Sequence, residues 1–125
     1  MLMLKRFLIA LTALVAVAAP VTLTASPASA SPQSQAVSMA YNYLRTIPFS
    51  KGGLADQLDY EGFSPKVANY AVNTIRVNWR AQAARMAKNY LRTMPFSCSG
   101  LIDQLVYEQF SYANASYGAN QTRAC

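Results

Sequence analysis

An all-α fold of two tandem three-helix, helix-turn-helix-like repeats is predicted by three features of this chain. The stretch NYLRTIPFSKGGLADQLDYEGFS, Asn42–Ser64, is written again as NYLRTMPFSCSGLIDQLVYEQFS, Asn89–Ser111. A shift of 47 residues superposes Ala40–Asn73 on Ala87–Asn120 without a gap, and 21 of the 34 positions are identical. A period of this size marks stacked supersecondary units. Apolar residues recur at helical spacing, while strand alternation and Asn-Gly turns are missing.

The first helix of the first unit places Ala36, Met39, Ala40, Tyr43, Leu44 and Ile47 on one face. Pro48 disfavours helical geometry at Ile47 and ends it. Ala83, Met86, Ala87, Tyr90, Leu91 and Met94 repeat the face before Pro95. Ser50 then caps the second helix, with Phe49 and Leu54 at the spacing of a hydrophobic staple. Phe96, Ser97 and Leu101 form the same corner in the second unit. Phe63-Ser64 and Phe110-Ser111 cap the third helices, and Pro65 takes a first helical position where its missing amide costs nothing.

The middle helix buries Leu54 and Leu58, and the third buries Val67 or Ala68 with Ala71, Val72 and Ile75. After Pro65 no proline or glycine occurs before Pro95. The third and fourth helices are therefore expected to form a long helical connection, kinked where Asn78 caps a fresh start at Trp79.

The chain opens with a targeting pattern. Lys5 and Arg6 precede a thirteen-residue apolar stretch, Phe7–Ala19, in which Thr12 is the one polar residue, and Ala28-Ser29-Ala30 is an A-x-A cleavage site. Thirteen are too few for a hydrocarbon core that needs about 20, and Pro20 closes the run. The expected organisation is a signal peptide over 1–30, a polar lead-in over 31–35, and helical repeats over 36–78 and 79–125. The mature chain would begin at Ser31 without a lipid, since no cysteine lies near the cut, and would be exported, with no integral membrane span. It would carry nine basic and five acidic residues, a net charge of +4.

Two cysteines in an exported chain point to a disulfide. Cys98 opens the middle helix of the second copy and Cys125 ends the chain. With the middle and last helices antiparallel, the start of one lies beside the end of the other. The first copy has Lys51 and Asn78 at these positions because its chain continues and packs on its neighbour. The terminal copy has an end that would fray.

Enzyme chemistry has little to build on. Histidine is absent, removing the usual general base and the commonest metal ligand. Asp56 and Glu61, repeated as Asp103 and Glu108, diverge by about 140° on a helix and cannot act as a local carboxylate pair. Asp56 is expected to support the early turns of its helix against the dipole, and Glu61 to be solvated or bonded at the corner. Gly52-Gly53 lacks a phosphate-loop lysine pattern, one glycine being Ser99 in the second copy. No catalytic, cofactor or metal residues are assigned. Export argues against nucleic acid as partner despite the helix-turn-helix outline.

The best partner surface is the basic group Arg76, Arg80, Arg85, Lys88 and Arg92 around Trp79, because Trp and Arg are enriched at hot spots. The plainer alternative is a solvated element with Trp79 filling the seam between repeats. The paired tyrosines (Tyr43 with Tyr90, Tyr60 with Tyr107, Tyr70 with Tyr117) are expected mostly in core or rim.

The doubled line YLRT-x-PFS-x-x-GL-x-DQL-x-YE-x-FS, followed by A-x-YA and then Trp79, resembles the Ltp-like family of host cell surface-exposed lipoproteins. The resemblance spans about Ala36–Asn120. It implies tandem three-helix repeats and a role in superinfection exclusion, in which a surface protein stops phage DNA delivery by engaging a component of the injection machinery. A second expectation, from a different class, is a structural wall-associated protein that binds anionic envelope polymer through its basic connection.

Overall fold

The hydroxyl of Ser31 accepts from the Ser34 amide and Pro32 takes the first helical position, so α1 (Pro32–Thr46) starts there. The computed structural model describes residues 30–125. The predicted signal peptide, 1–30, lies outside the described residues except for Ala30. The residues expected to form a lead-in over 31–35 are instead the cap and first turn of α1. Ser-Pro is the same start signal that opens the third helix at Ser64-Pro65.

The remaining helices are α2 (Lys51–Tyr60), α3 (Pro65–Thr74), α4 (Trp79–Thr93), α5 (Cys98–Tyr107) and α6 (Tyr112–Asn120). Each begins with a capping side chain that accepts from the amide three residues on: Ser50, Ser64, Asn78, Ser97 and Ser111 follow Ser31 in this. Such a cap contributes about 1 kcal/mol.

In each repeat the first helix packs chiefly on the third, and the second closes the triangle. Ala36, Ala40, Leu44, Leu54, Leu58, Ala68, Ala71, Val72 and Ile75 form the first core, with Val67 only partly buried against it. Ala83, Ala87, Leu101, Ile102, Leu105, Phe110, Ala115 and Ala119 form a separate second core. Alanines on the first helices allow close approach. At Gly118 the approach is closest: a Cβ there would lie 2.6–2.8 Å from the backbone of Ala83 and Ala84.

The connection between repeats is not helical. The Ile75 amide donates to Ala71 O and closes α3, but Ile75 itself is extended (φ −67°, ψ 148°) and buried in the first core. Asn78 then caps α4, as its side chain allows. The break needs no proline or glycine, because Thr74, Ile75 and Val77 are β-branched and tolerate extended backbone well.

Ile47 and Met94 also leave the stripe expected for them. Each is an extended C-cap before a proline and is about half exposed, at 49% and 50%. Proline forces the preceding residue out of helical geometry, which carries its side chain off the buried face.

The middle helices end alike. Phe63 N–H bonds Leu58 O and Phe110 N–H bonds Leu105 O, wrapping a residue at positive φ, Gly62 (105°) or Gln109 (75°). Gln109 adopts there a conformation that glycine takes freely. Its side chain has a use, described below. Ser31–Cys125 form one compact unit. No helix among the described residues is long and apolar enough to cross a membrane.

Candidate partner surface

The kept residues of the repeated line first build corners. Tyr43 OH donates to Glu61 Oε1, and Gln57 Nε2 donates to both Tyr43 OH (3.3 Å) and Glu61 (3.2 Å). Tyr90, Glu108 and Gln104 form the same triad. Tyr43 also meets Phe49 edge to face at 5.6 Å, as Tyr90 meets Phe96. The Glu61 bond pushes the Tyr43 phenol above its ordinary value. For Tyr90 the larger cause is burial, followed by the Glu108 bond. Glu61 and Glu108 thus recur because they tie the first helix to the end of the second. Asp56 and Glu61 have separate partners, so no carboxylate pair forms.

A second set of contacts joins the repeats. Ser50, 1% exposed, accepts from Gly53 N–H at 2.9 Å and donates its hydroxyl proton to the carbonyl of Glu108. Gln109 Nε2 donates to Asp56 Oδ2 at 2.7 Å, and its side chain occupies space that a Cβ at Gly52 would need. That contact, rather than the helix dipole, is the partner of Asp56, which lies beyond the first turn of α2. Phe49 N–H donates to Gln82 Oε1 at 3.3 Å, and Arg85 Nη1 donates to Leu44 O at 3.2 Å. Trp79 is partly buried against the first core, so the side chain that starts α4 plugs the seam.

The five basic residues expected to form one surface have different surroundings. Arg85 belongs to the seam. Arg80 stacks on Tyr117, its Cζ 3.9 Å from the ring centroid. Arg76 gives its backbone N–H to Tyr41 OH at 3.3 Å. It lines a cleft of about 270 Å³ with Tyr41, Leu44, Arg45 and Val77. Lys88 and Arg92 line another, about 300 Å³, with Leu91, Thr122 and Arg123.

Arg45 and Arg123 were not singled out by the sequence reading. The signal was available, because the 47-residue shift pairs Arg45 with Arg92 and, three residues past the identical block, Arg76 with Arg123. Tyr60 and Tyr107 are likewise not rim packing. They stand out at 85% and 81% exposure.

Charge is segregated by helix. All five acidic residues, Asp56, Asp59, Glu61, Asp103 and Glu108, lie on α2, on α5 or at their caps. Helices α1, α3, α4 and α6 carry no side-chain carboxylate. Cys98 and Cys125 are joined, with Cα atoms 4.8 Å apart, which fastens the residues after α6 to the start of α5. Among the described residues no three of His, Cys, Asp and Glu gather as a metal site.

The comparisons with known proteins agree with this architecture. A family model described as host cell surface-exposed lipoprotein matches residues 32–75 and again 78–121. The solved structure of Ltp, a superinfection exclusion protein from the Streptococcus thermophilus temperate phage TP-J34, matches with a TM-score of 0.70. The two chains are 30% identical, and the match covers 76% of this chain and 99% of that one. No curated protein matches. Two matched repeats, together spanning well over half of the chain, place it in the Ltp family of host cell surface-exposed lipoproteins.

Proposed function

We propose that this is an exported, non-catalytic binding protein of the cell surface that blocks phage DNA delivery by engaging a component of the injection machinery. The observation that carries the reading is the likeness to a superinfection exclusion protein, over 76% of this chain and 99% of that one. Ser31, the residue that cleavage after Ala30 would expose, is the N-cap of α1, which supports export. Both cysteines of the sequence are paired in the disulfide, which supports an unlipidated form. Retention at the surface is assigned to the cationic elements instead.

The test is expression in a sensitive host. Phage adsorption is expected to stay normal while DNA uptake is blocked, and deleting Met1–Ala30 is expected to abolish the block. Unchanged uptake across a panel of phages would overturn the reading. A second reading, a wall-associated protein binding anionic polymer, is favoured by the segregation of charge. There, high salt would release the protein from cell walls.

A further inference from the structure

The two cationic clefts are the same cleft twice. Leu44, Arg45 and Arg76 of the first correspond under the 47-residue shift to Leu91, Arg92 and Arg123 of the second. Each sets two arginines beside an apolar wall where the end of a first helix meets the segment after a third. Helix-end electrostatics explain one arginine of each pair, since Arg45 and Arg92 lie in the last turns of α1 and α4. That effect fades within a turn and leaves Arg76 and Arg123, beyond the caps Ile75 and Gln121, without a reason. None of the four guanidinium groups donates to another group among the described residues. The helices around them carry no side-chain carboxylate.

We infer that each repeat carries one phosphate-binding cleft, Arg45–Arg76 and Arg92–Arg123, and that the two together hold phosphodiester groups of a polyol phosphate polymer. Guanidinium forks suit phosphate oxygens, which they grip in pairs. A cleft of about 300 Å³ is the size of a small-molecule site and takes one monomer, not a helix. Two equivalent sites on one compact unit suit a ligand that itself repeats, and the second contact is made at high effective concentration. The inference deepens the polymer-binding reading and is independent of phage exclusion.

It also gives the disulfide a role at the site. In the first repeat the chain runs on into α4 and holds Arg76 in place. In the second the chain reaches Cys125 two residues after Arg123, and the bond to Cys98 holds it while Ala124 packs on the second core.

The test is binding of the exported protein to immobilised poly(glycerol phosphate) at fixed ionic strength. Circular dichroism would check the fold of each variant. R45Q/R76Q and R92Q/R123Q are each expected to lose about tenfold or more in affinity, the scale of one lost contact in a bivalent pair. K51Q/K66Q removes the same charge from exposed sites elsewhere and is expected to stay within about threefold. Reduction should weaken the wild type to the level of R92Q/R123Q and leave that variant unchanged. Equal losses in K51Q/K66Q and the cleft variants would overturn the clefts while leaving polymer binding in place. No binding by the wild type would overturn both. Tighter binding of single- or double-stranded DNA, or of polyglutamate, would overturn the ligand class.

Discussion

Breaking the Cys98–Cys125 bond is the perturbation whose size the structure sets most directly. The bond closes a loop of 27 residues, for which chain entropy gives about 3.5 kcal/mol. The second repeat has a reason to need it. Where α3 and its cap bury Val72 and Ile75, the equivalent positions hold Ala119 and Thr122. Val to Ala removes two buried carbons, about 1.6 kcal/mol at 0.8 per methylene, and Ile to Thr removes a similar amount. The terminal segment therefore lacks about 3 kcal/mol of burial, close to what the disulfide supplies. For a unit of 95 residues, Ser31–Cys125, losing the bond is expected to lower the melting temperature by about 15–25 °C. Thermal melts by circular dichroism, with and without reductant, measure this, and C98S/C125S separates bond loss from side reactions. Hydrogen exchange should place the loosening in α6 and the residues after it. A drop below about 5 °C, or unchanged protection in α6, would refute the account.

Two further outcomes are expected. Ser50→Ala should cost about 2–3 kcal/mol, because it removes a cap and a buried bond to the Glu108 carbonyl, whereas Ser97→Ala removes only an exposed cap worth about 1. Equal effects by urea unfolding would show that the seam contributes nothing. The phenols of Tyr43 and Tyr90 are raised above the ordinary 10.0, so the stability they contribute is complete below pH 10 and is lost as pH climbs through their folded values. Melting temperature should hold up to about pH 10 and then fall. In a 295 nm titration Tyr43 and Tyr90 should ionise late, and Y43F/Y90F should remove that late part of the curve. Eight tyrosines titrating together would contradict the corner triads.

The sequence by itself determined what depends on near neighbours. Ser50, Ser64, Ser97 and Ser111 start helices because a hydroxyl reaches an amide three residues on, which spacing alone makes legible. Pro48 and Pro95 end helices for an equally local reason. The disulfide was legible because two helix lengths and an antiparallel turn suffice to bring its ends together. Tertiary structure decided the rest, because those outcomes rest on contacts between distant parts of the chain. Ile75 leaves the helix and joins a core to which α1, α2 and α3 all contribute. Arg85 is withdrawn from the surface by a carbonyl 41 residues away, and Arg80 by a ring on α6. Arg45 and Arg76 line one cleft, and Arg92 and Arg123 another, because first and third helices pack together and bring their ends to one place. A helical stripe shows that a face is buried; only packing shows which chain end lies beside it.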